Sequence, residues 1–419
     1  MTNIFKVRGG NNLKRHKVEK RFRVYGMIAI ATSLAFLVIM VGSITLRGAP
    51  AFKQSFIKIE MHIPAEKFNK NALQNSRFVS YLKETLRAMY PDVKTRKDKK
   101  QLFRLVSSNA EYTIRDAVIA NPELIGKTHN FWVRTSSDID MYLKGYVDEN
   151  LPQSERRISD QQVKWIADLK KANRIEVRFN TQFLTGGDSR EPEQAGVFGA
   201  VIGSALSLFV CFIIAFPIGV LAAVYLEEFA TKNKISRIFE VNINNLAAVP
   251  SIVFGLLGLA IFLNFFGLPR STPLVGGLVL ALMTLPTIII ASRASLRAVP
   301  PSIREAAIGL GASKVQTTFH HVVPLAMPGM LTGTILGMAQ ALGETAPLLM
   351  IGMVAFIVDV PTSITDAATA LPVQIFLWAD SPERGFMEKT SAAIIVLLMF
   401  LVLMNLAAII LRRRLERRW

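Results

Sequence analysis

Few residues of this chain combine a reactive type with a telling position, and the ones that do lie in or beside long apolar runs. Glu344 and Thr345 interrupt one such run, in Ala341-Leu342-Gly343-Glu344-Thr345-Ala346-Pro347. A carboxylate among apolar side chains costs ~2.5–3.5 kcal/mol on membrane-insertion scales, so it must face a cavity or a partner. Pro347 breaks the hydrogen-bond ladder and leaves backbone groups free to face the same cavity. Gln340 stands four residues earlier, on the same helical face. Arg293 and Arg297 close another apolar run and are the nearest cations for an anion, although anchoring of the run explains them about as well. His320 and His321 are adjacent, so on a helix they diverge by about 100° and read as surface, not as metal ligands. Asp138, Asp140, Asp148 and Glu149 do not have the spacing of a calcium loop and also read as surface. Cys211 is the single cysteine, which excludes a disulfide or a cysteine metal site within the chain. Gly311-Ala312-Ser313-Lys314 lacks the glycine that precedes the lysine of a phosphate-binding loop, so ATP must be handled by another chain. No nucleophile accompanies Glu344 and His321, which disfavours an intramembrane enzyme.

The elements that position these residues are apolar helices. Hydrophobic residues make up 51% of the 419, close to a soluble average, but they are concentrated in blocks. A helix needs roughly 20 apolar residues to cross ~30 Å of hydrocarbon. Six blocks approach that length: Val24–Leu46, Ala195–Leu226, Leu246–Phe266, Leu274–Leu296, Pro328–Val358 (interrupted at Glu344 and Pro347) and Ala392–Leu411. The net charge of +18 is a topology signal, because cations flank the blocks. Lys6, Arg8, Lys14, Arg15, Lys17, Lys20, Arg21 and Arg23 precede the first, and Arg412, Arg413, Arg414, Arg417 and Arg418 follow the last. No aromatic-rich basic motif points to nucleic acid. The positive-inside rule places both termini, Lys232–Arg237 and Arg293–Lys314 in the cytoplasm. The first block is too long for a cleaved signal and reads as an anchor.

The expected fold is mainly α: a six-span polytopic membrane helical bundle, with an α+β extracytoplasmic domain inserted between spans 1 and 2. Residues 1–23 form a basic tail, 24–46 the first anchor, 47–194 the inserted domain, 195–411 a five-span core with a cytoplasmic loop at 300–327, and 412–419 a second basic tail. Inside the insert, Phe56–Ile63 and Arg174–Leu184 alternate as strands do, and Asn71–Met89, Leu102–Ala120 and Ser159–Ala172 read as helices, the last capped by Ser159 or Asp160. Lys94–Lys100 reads as a solvated loop. Gly255, Gly258, Gly333 and Gly337 suggest close helix packing.

The cytoplasmic loop runs Pro300-Pro301-Ser302-Ile303-Arg304-Glu305-Ala306-Ala307, then Gly311 and, further on, Val323-Pro324. Ser302 with Glu305 predicts a capping box, and Gly311 a left-handed stop. A second short helix, Ser313–His321, is expected to end before Pro324. The spacing of Glu305, Ala306, Ala307, Gly311 and Pro324 resembles the coupling loop of ABC-importer permeases. Val323 stands where that family has leucine, and His321 where it prefers an apolar residue. The Gly343–Pro347 motif and the region 195–356 are similar to the membrane subunits of phosphate ABC importers. The long first span and the insert resemble the extended form of the PstA family. In that family an arginine often stands where Gln340 stands here.

The resemblance implies that Glu305, Ala306, Ala307, Gly311 and Pro324 couple to an ATPase. It implies that Glu344, Thr345, Gln340 and Arg293 line or gate a translocation pathway. Glu344 itself repels an anion, so its implied task is gating or holding a partner's arginine. The implied partners are a second permease, an ATPase dimer that binds ATP and Mg, an extracytoplasmic phosphate-binding protein and membrane lipid. The chain itself would need no cofactor, and its place would be the bacterial inner membrane. A permease for another oxyanion, or a membrane receptor with an extracytoplasmic domain, are the alternatives.

Overall fold

The computed structural model describes residues 10–64, 78–149, 151–231, 233–354 and 356–415. Lys6, Arg8, Lys232, Arg417, Arg418 and residues 71–77 of the helix expected over Asn71–Met89 lie outside the described residues. Helix α1 (Gly10–Gly48) runs through a 3₁₀ turn, Ala49–Phe52, into a small α+β domain. The domain's sheet has the order β2-β1-β3, with β1 (Lys53–His62) antiparallel to β2 (Thr128–Arg134) and β3 (Ile175–Phe179). Alternation along β1 puts Ile57, Ile59 and Met61 on one face. That face is covered by α2 (Phe78–Met89), α4 (Ala110–Ala120) and α6 (Asp160–Lys171), through Leu82, Leu86, Ile114, Val118 and Trp165. Ser159 caps α6 in a reciprocal box with Gln162, as its sequence suggests.

Three of the elements expected in this domain change. Leu102–Ala120 is two helices, α3 (Arg96–Phe103) and α4, because Val106 pairs with Thr135 in a bridge and pulls the chain into the sheet layer. Lys94–Lys100 is no loop: Thr95 accepts from the Asp98 N–H and caps α3. Of Arg174–Leu184 only β3 is a strand, and the rest turns into α7 (Thr181–Thr185), capped by Asn180.

The bundle is built around α11 (Pro273–Arg297). Helix α8 (Phe198–Val224, prolonged by a π turn, Tyr225–Phe229) packs along one side of it. Helix α14 (Val323–Gly343) packs along another and runs antiparallel to it, with Gly329 at Ser295 and Gly333 at Ala291. Cys211, Val279, Met338 and Ala341 meet in the shared core. Helices α16 (Leu371–Ala379) and α17 (Gly385–Leu415) complete it. Helix α1 meets α17 at Gly48, where the backbone of Ser391 and Ala392 leaves no space for a Cβ. The sheet domain sits at this end of the bundle, hereafter the sheet end.

Among the described residues, five helices are long and apolar enough to cross a membrane, and a sixth only if a bent pair is counted as one. That pair corrects the third expected span. Leu246–Phe266 is not one helix: α9 (Lys234–Ala247) stops, and α10 (Ser251–Gly258), continued by a π segment to Phe265, leaves at 101°. Pro250 disfavours helix at the residue before it, which makes the corner. Helix α9 is amphipathic, with Ile235, Ile238 and Phe239 exposed, so it belongs at an interface and not in a core. The fifth expected span also shifts. It is continuous from Lys314 to Gly343 and breaks at Glu344.

Candidate coupling and gating site

At the end of the bundle opposite the sheet, α12 (Pro301–Gly309) follows α11 after a short turn. Pro300 is its N-cap and Pro301 its first residue, so the capping box expected from Ser302 and Glu305 does not form. Proline suits that first position, because its missing N–H would find no helical partner there. Gly311 does take the left-handed conformation, at φ +88°. The Gly311 N–H donates to the Ile308 carbonyl at 2.9 Å and the Ala312 N–H to the Ala307 carbonyl at 3.0 Å, the two bonds of a Schellman stop. Ser313 then caps α13 (Lys314–Thr317) in a box with Gln316.

The second short helix does not end before Pro324. A π turn, Thr318–Val322, joins α13 to α14, and the rod runs unbroken from Lys314 to Gly343. Proline has no N–H and clashes with the carbonyl four residues back. The wider π turn sits where that carbonyl lies and lets the helix pass. Glu305, Ala306 and Gly311 are exposed, Ala307 is buried against the bundle, and Pro324 is half-buried. Around them Ile308, Leu310, Val315 and Phe319 form an apolar knob, with Leu310 91% exposed. His320 and His321 are exposed beside it, and among the described residues no histidine, cysteine or carboxylate group has metal-ligating geometry.

The knob is fixed to the bundle by Arg304. Its guanidinium grips Glu228 at 2.6 Å and donates to the Val299 and Leu296 carbonyls at 2.8 and 2.9 Å. One side chain thus joins α12, the last turn of α11 and the π turn that ends α8. Arg293 lies in the same region. It pairs with Glu227 at 3.4 Å and with Glu240 of α9, while Arg297 pairs with Glu227 at 2.8 Å. Sequence reasoning missed Arg304, Glu227, Glu228 and Glu240. Two adjacent carboxylates ending an apolar run were the available signal.

Glu344 and Thr345 are half-buried at the break after α14, where Glu344 turns extended (φ −76°, ψ 122°). Among the described residues nothing pairs with the Glu344 carboxylate. Gln340 is exposed on the α14 face that also carries Leu336 and Gly343. Helix α15 (Ala346–Met350) resumes after the break and packs on α10, with Pro347 against Gly255. Arg293 is not brought to this place. Ala291, two residues before it, meets Gly333, which lies about 16 Å of helix from Glu344 at ~1.5 Å per residue. The structure therefore separates two groups: Glu344, Thr345 and Gln340 at the break, and Arg293 with the loop.

Residues 215–419 match the family model described as "binding-protein-dependent transport system inner membrane component". Residues 11–153 match a domain of unknown function, DUF3333. The phosphate transport system permease protein PstA 1 of Mycobacterium tuberculosis (strain CDC 1551 / Oshkosh) is 34% identical over 223 residues, covering 53% of this chain and 72% of that protein. The chain belongs to the PstA family of binding-protein-dependent transport permeases. The PstA protein of Pasteurella multocida (strain Pm70) is 30% identical over 52% of this chain and 76% of its own length. An inward-facing MetNI methionine ABC transporter structure overlaps 53% of this chain and 95% of its own, with 18% identity and a TM-score of 0.43. A PstA-family permease is a multi-pass membrane transport subunit and not an enzyme. Within it, the apolar knob, Arg304 and the rod to Glu344 all fall inside the transport-family match, whereas most of the sheet domain falls in the other.

Proposed function

We propose that this chain is one of two membrane-spanning subunits of an ATP-driven importer for inorganic phosphate. The observation that carries the reading is the exposed Ile308–Phe319 knob, held by Arg304 at the end of a permease related to phosphate transport proteins. An ATPase dimer, binding ATP and Mg²⁺ itself, would receive the knob in a groove. Closure of that dimer would move the knob, and Arg304 would pass the movement to α8 and α11. The unbroken rod from Lys314 to Gly343, about 45 Å at ~1.5 Å per residue, would carry it to Glu344. The exposed face bearing Gln340 turns toward the place of a second permease, so the pathway would run between two chains. That partner would supply the cation that Gln340 does not, and Glu344 would hold it or gate the passage. An extracytoplasmic phosphate-binding protein would deliver the anion at the sheet end.

The flanking cations support an inner-membrane placement with the loop end, both termini and residues 300–327 in the cytoplasm. Residues 47–194 would then face outward.

The test is labelled phosphate uptake at low concentration in cells lacking this chain, complemented with wild type, Glu305→Lys or Gly311→Asp, with sulfate and molybdate run in parallel. The expected outcome is that only phosphate uptake is lost, and that wild type alone restores it while both variants reach the membrane. Loss of a different anion would keep the importer and change the substrate. Unchanged uptake of all three would favour a receptor built on the sheet domain.

A further inference from the structure

The sheet domain carries an apolar edge that, among the described residues, nothing covers. Strand β3 is an outer strand of the sheet, and its two faces differ. Glu176 and Arg178 point one way, paired at 2.8 Å, with Arg178 stacked over Trp132. Val177 and Phe179 point the other way, onto the face that the helices cover farther along β1. The helices do not reach them: Val177 is 52% and Phe179 59% exposed.

The position of this patch says what it meets. Phe179 pairs across the sheet with Lys53, the first residue of β1, and its ring stacks on Phe52 at 6.4 Å. The Asn180 N–H donates to the Phe52 carbonyl at 2.8 Å and its side-chain amide to the Ala51 carbonyl at 3.1 Å. The strand end is therefore tied to the turn that leaves α1. Four residues before Phe52, Gly48 is pressed against α17 at Ala392, where that helix's long apolar run begins. Phe179 thus stands about one helical turn beyond Gly48, beside which the apolar runs of both helices end. Leu46, two residues before Gly48 on α1, is exposed as well. Lys53, opposite Phe179 in the sheet, and Arg47, the residue before Gly48, are both exposed. Aromatic rings beside cations, at the end of a span, match the headgroup zone, where a ring reaches acyl chains and an ammonium or guanidinium meets phosphate.

We infer that the β3 edge is a lipid-binding surface: Val177 and Phe179 enter the headgroup–acyl boundary beside α1, and Arg47 and Lys53 bind lipid phosphates. The domain then rests on the bilayer as well as on α17, and its height above the membrane is fixed by both.

Spin labels placed at Val177→Cys, Phe179→Cys and Glu176→Cys test this, each in the full chain with Cys211→Ala, in phosphatidylethanolamine/phosphatidylglycerol bilayers. All three positions are substantially exposed, so a label displaces no core side chain. Collision rates with oxygen, which concentrates in lipid, and with a water-soluble nickel chelate are compared. The expected result is an oxygen-to-nickel ratio several-fold higher at 177 and 179 than at 176. Equal nickel access at all three positions would place β3 in water and overturn the inference. Shielding of 177 and 179 from both reagents would overturn it too, by showing a protein partner or a second copy on the edge. Neither reading depends on what the chain transports.

Discussion

Arg304 concentrates more structural consequence than any other side chain at the loop end. It donates to two carbonyls at and just beyond the end of α11, of which Leu296 also accepts from the Ala298 N–H, and it neutralises Glu228, whose side chain is 10% exposed. Replacing it strands that carboxylate. Losing one partner of a fully buried pair costs ~3–5 kcal/mol, and the partial exposure of Arg304 brings the expectation down to ~1–3 kcal/mol. Arg304→Met is therefore expected to lower the thermal midpoint of the solubilised protein and to abolish uptake, because the knob loses its link to α8. Glu228→Gln in the same chain removes the stranded charge, so the double variant should regain stability without regaining uptake. A thermal-shift series on the four proteins of the cycle, paired with uptake assays, checks both halves. Full additivity of the two single losses would mean that the pair does not act as a unit.

At the scale of elements, much of the bundle was legible, because hydropathy depends on composition over a long window. The edges of α8, α11 and α17 fall within a few residues of the apolar blocks, with α17 extended at both ends. The loop was legible where glycine dictates backbone, at Gly311, and illegible where two prolines compete with a cap, at Pro300 and Pro301. The corner at Pro250 was hidden because the residues on both sides are apolar, and a hydropathy window averages across a bend. Strand β2 was missed for a different reason. Thr128–Arg134 has a polar start, and it becomes a strand by pairing with β1. Asp140, read as surface, is buried for a similar non-local reason: it accepts from the Ser55 N–H of β1. Glycine spacing gave a mixed answer that packing distances resolve. A Cβ on Gly333 would collide with Ala291 on α11, whereas one on Gly337 would find its nearest neighbours at an ordinary 3.8 Å. Gly333→Ala should therefore force α11 and α14 apart and destabilise the protein by ~1–3 kcal/mol. Gly337→Ala should be neutral or slightly stabilising, since alanine is the better helix former. Equal thermal midpoints for the two variants would show that α11 and α14 can separate at Ala291 and Gly333 without cost.

At the scale of the whole molecule, the question is what makes two differently built halves one body. The turn at Ala49–Phe52 is a short covalent link, and at Gly48 it already leans on α17. A second tie is electrostatic. Lys144, at the C-terminal end of α5 (Ser137–Leu143), reaches Asp140 at 2.7 Å and Glu388 of α17 at 2.6 Å. The side chains of Lys144, Asp140 and Glu388 are 8%, 6% and 4% exposed, so this is a dry joint and not a surface pair. Glu388 stands in the first turn of α17, where the helix dipole favours a carboxylate. Lys389 is buried beside it, its ammonium over the Phe183 ring at 4.8 Å. At the rim, Arg157 of the domain meets Glu383 at 2.8 Å, exposed and screened, and contributes little.

The joint is asymmetric, and the asymmetry is testable. Lys144 is one cation serving two carboxylates, one from each half. Lys144→Met strands both acids in a dry site and should cost on the order of 3–5 kcal/mol. Glu388→Gln leaves Lys144 with Asp140 and keeps a hydrogen-bonding group in place, so its cost should stay near ~1 kcal/mol. The same ordering should appear in the linkage between halves. Protease access to the 379–385 segment, measured on the full chain in bilayers, should rise strongly for Lys144→Met and slightly for Glu388→Gln. The combined variant should fall between them, because removing one acid relieves part of the charge that the lost lysine leaves behind. An inverted order, with Glu388→Gln the more damaging, would mean that Glu388 mainly holds Lys389, and that the two halves are joined through α17's own first turn instead of through Lys144.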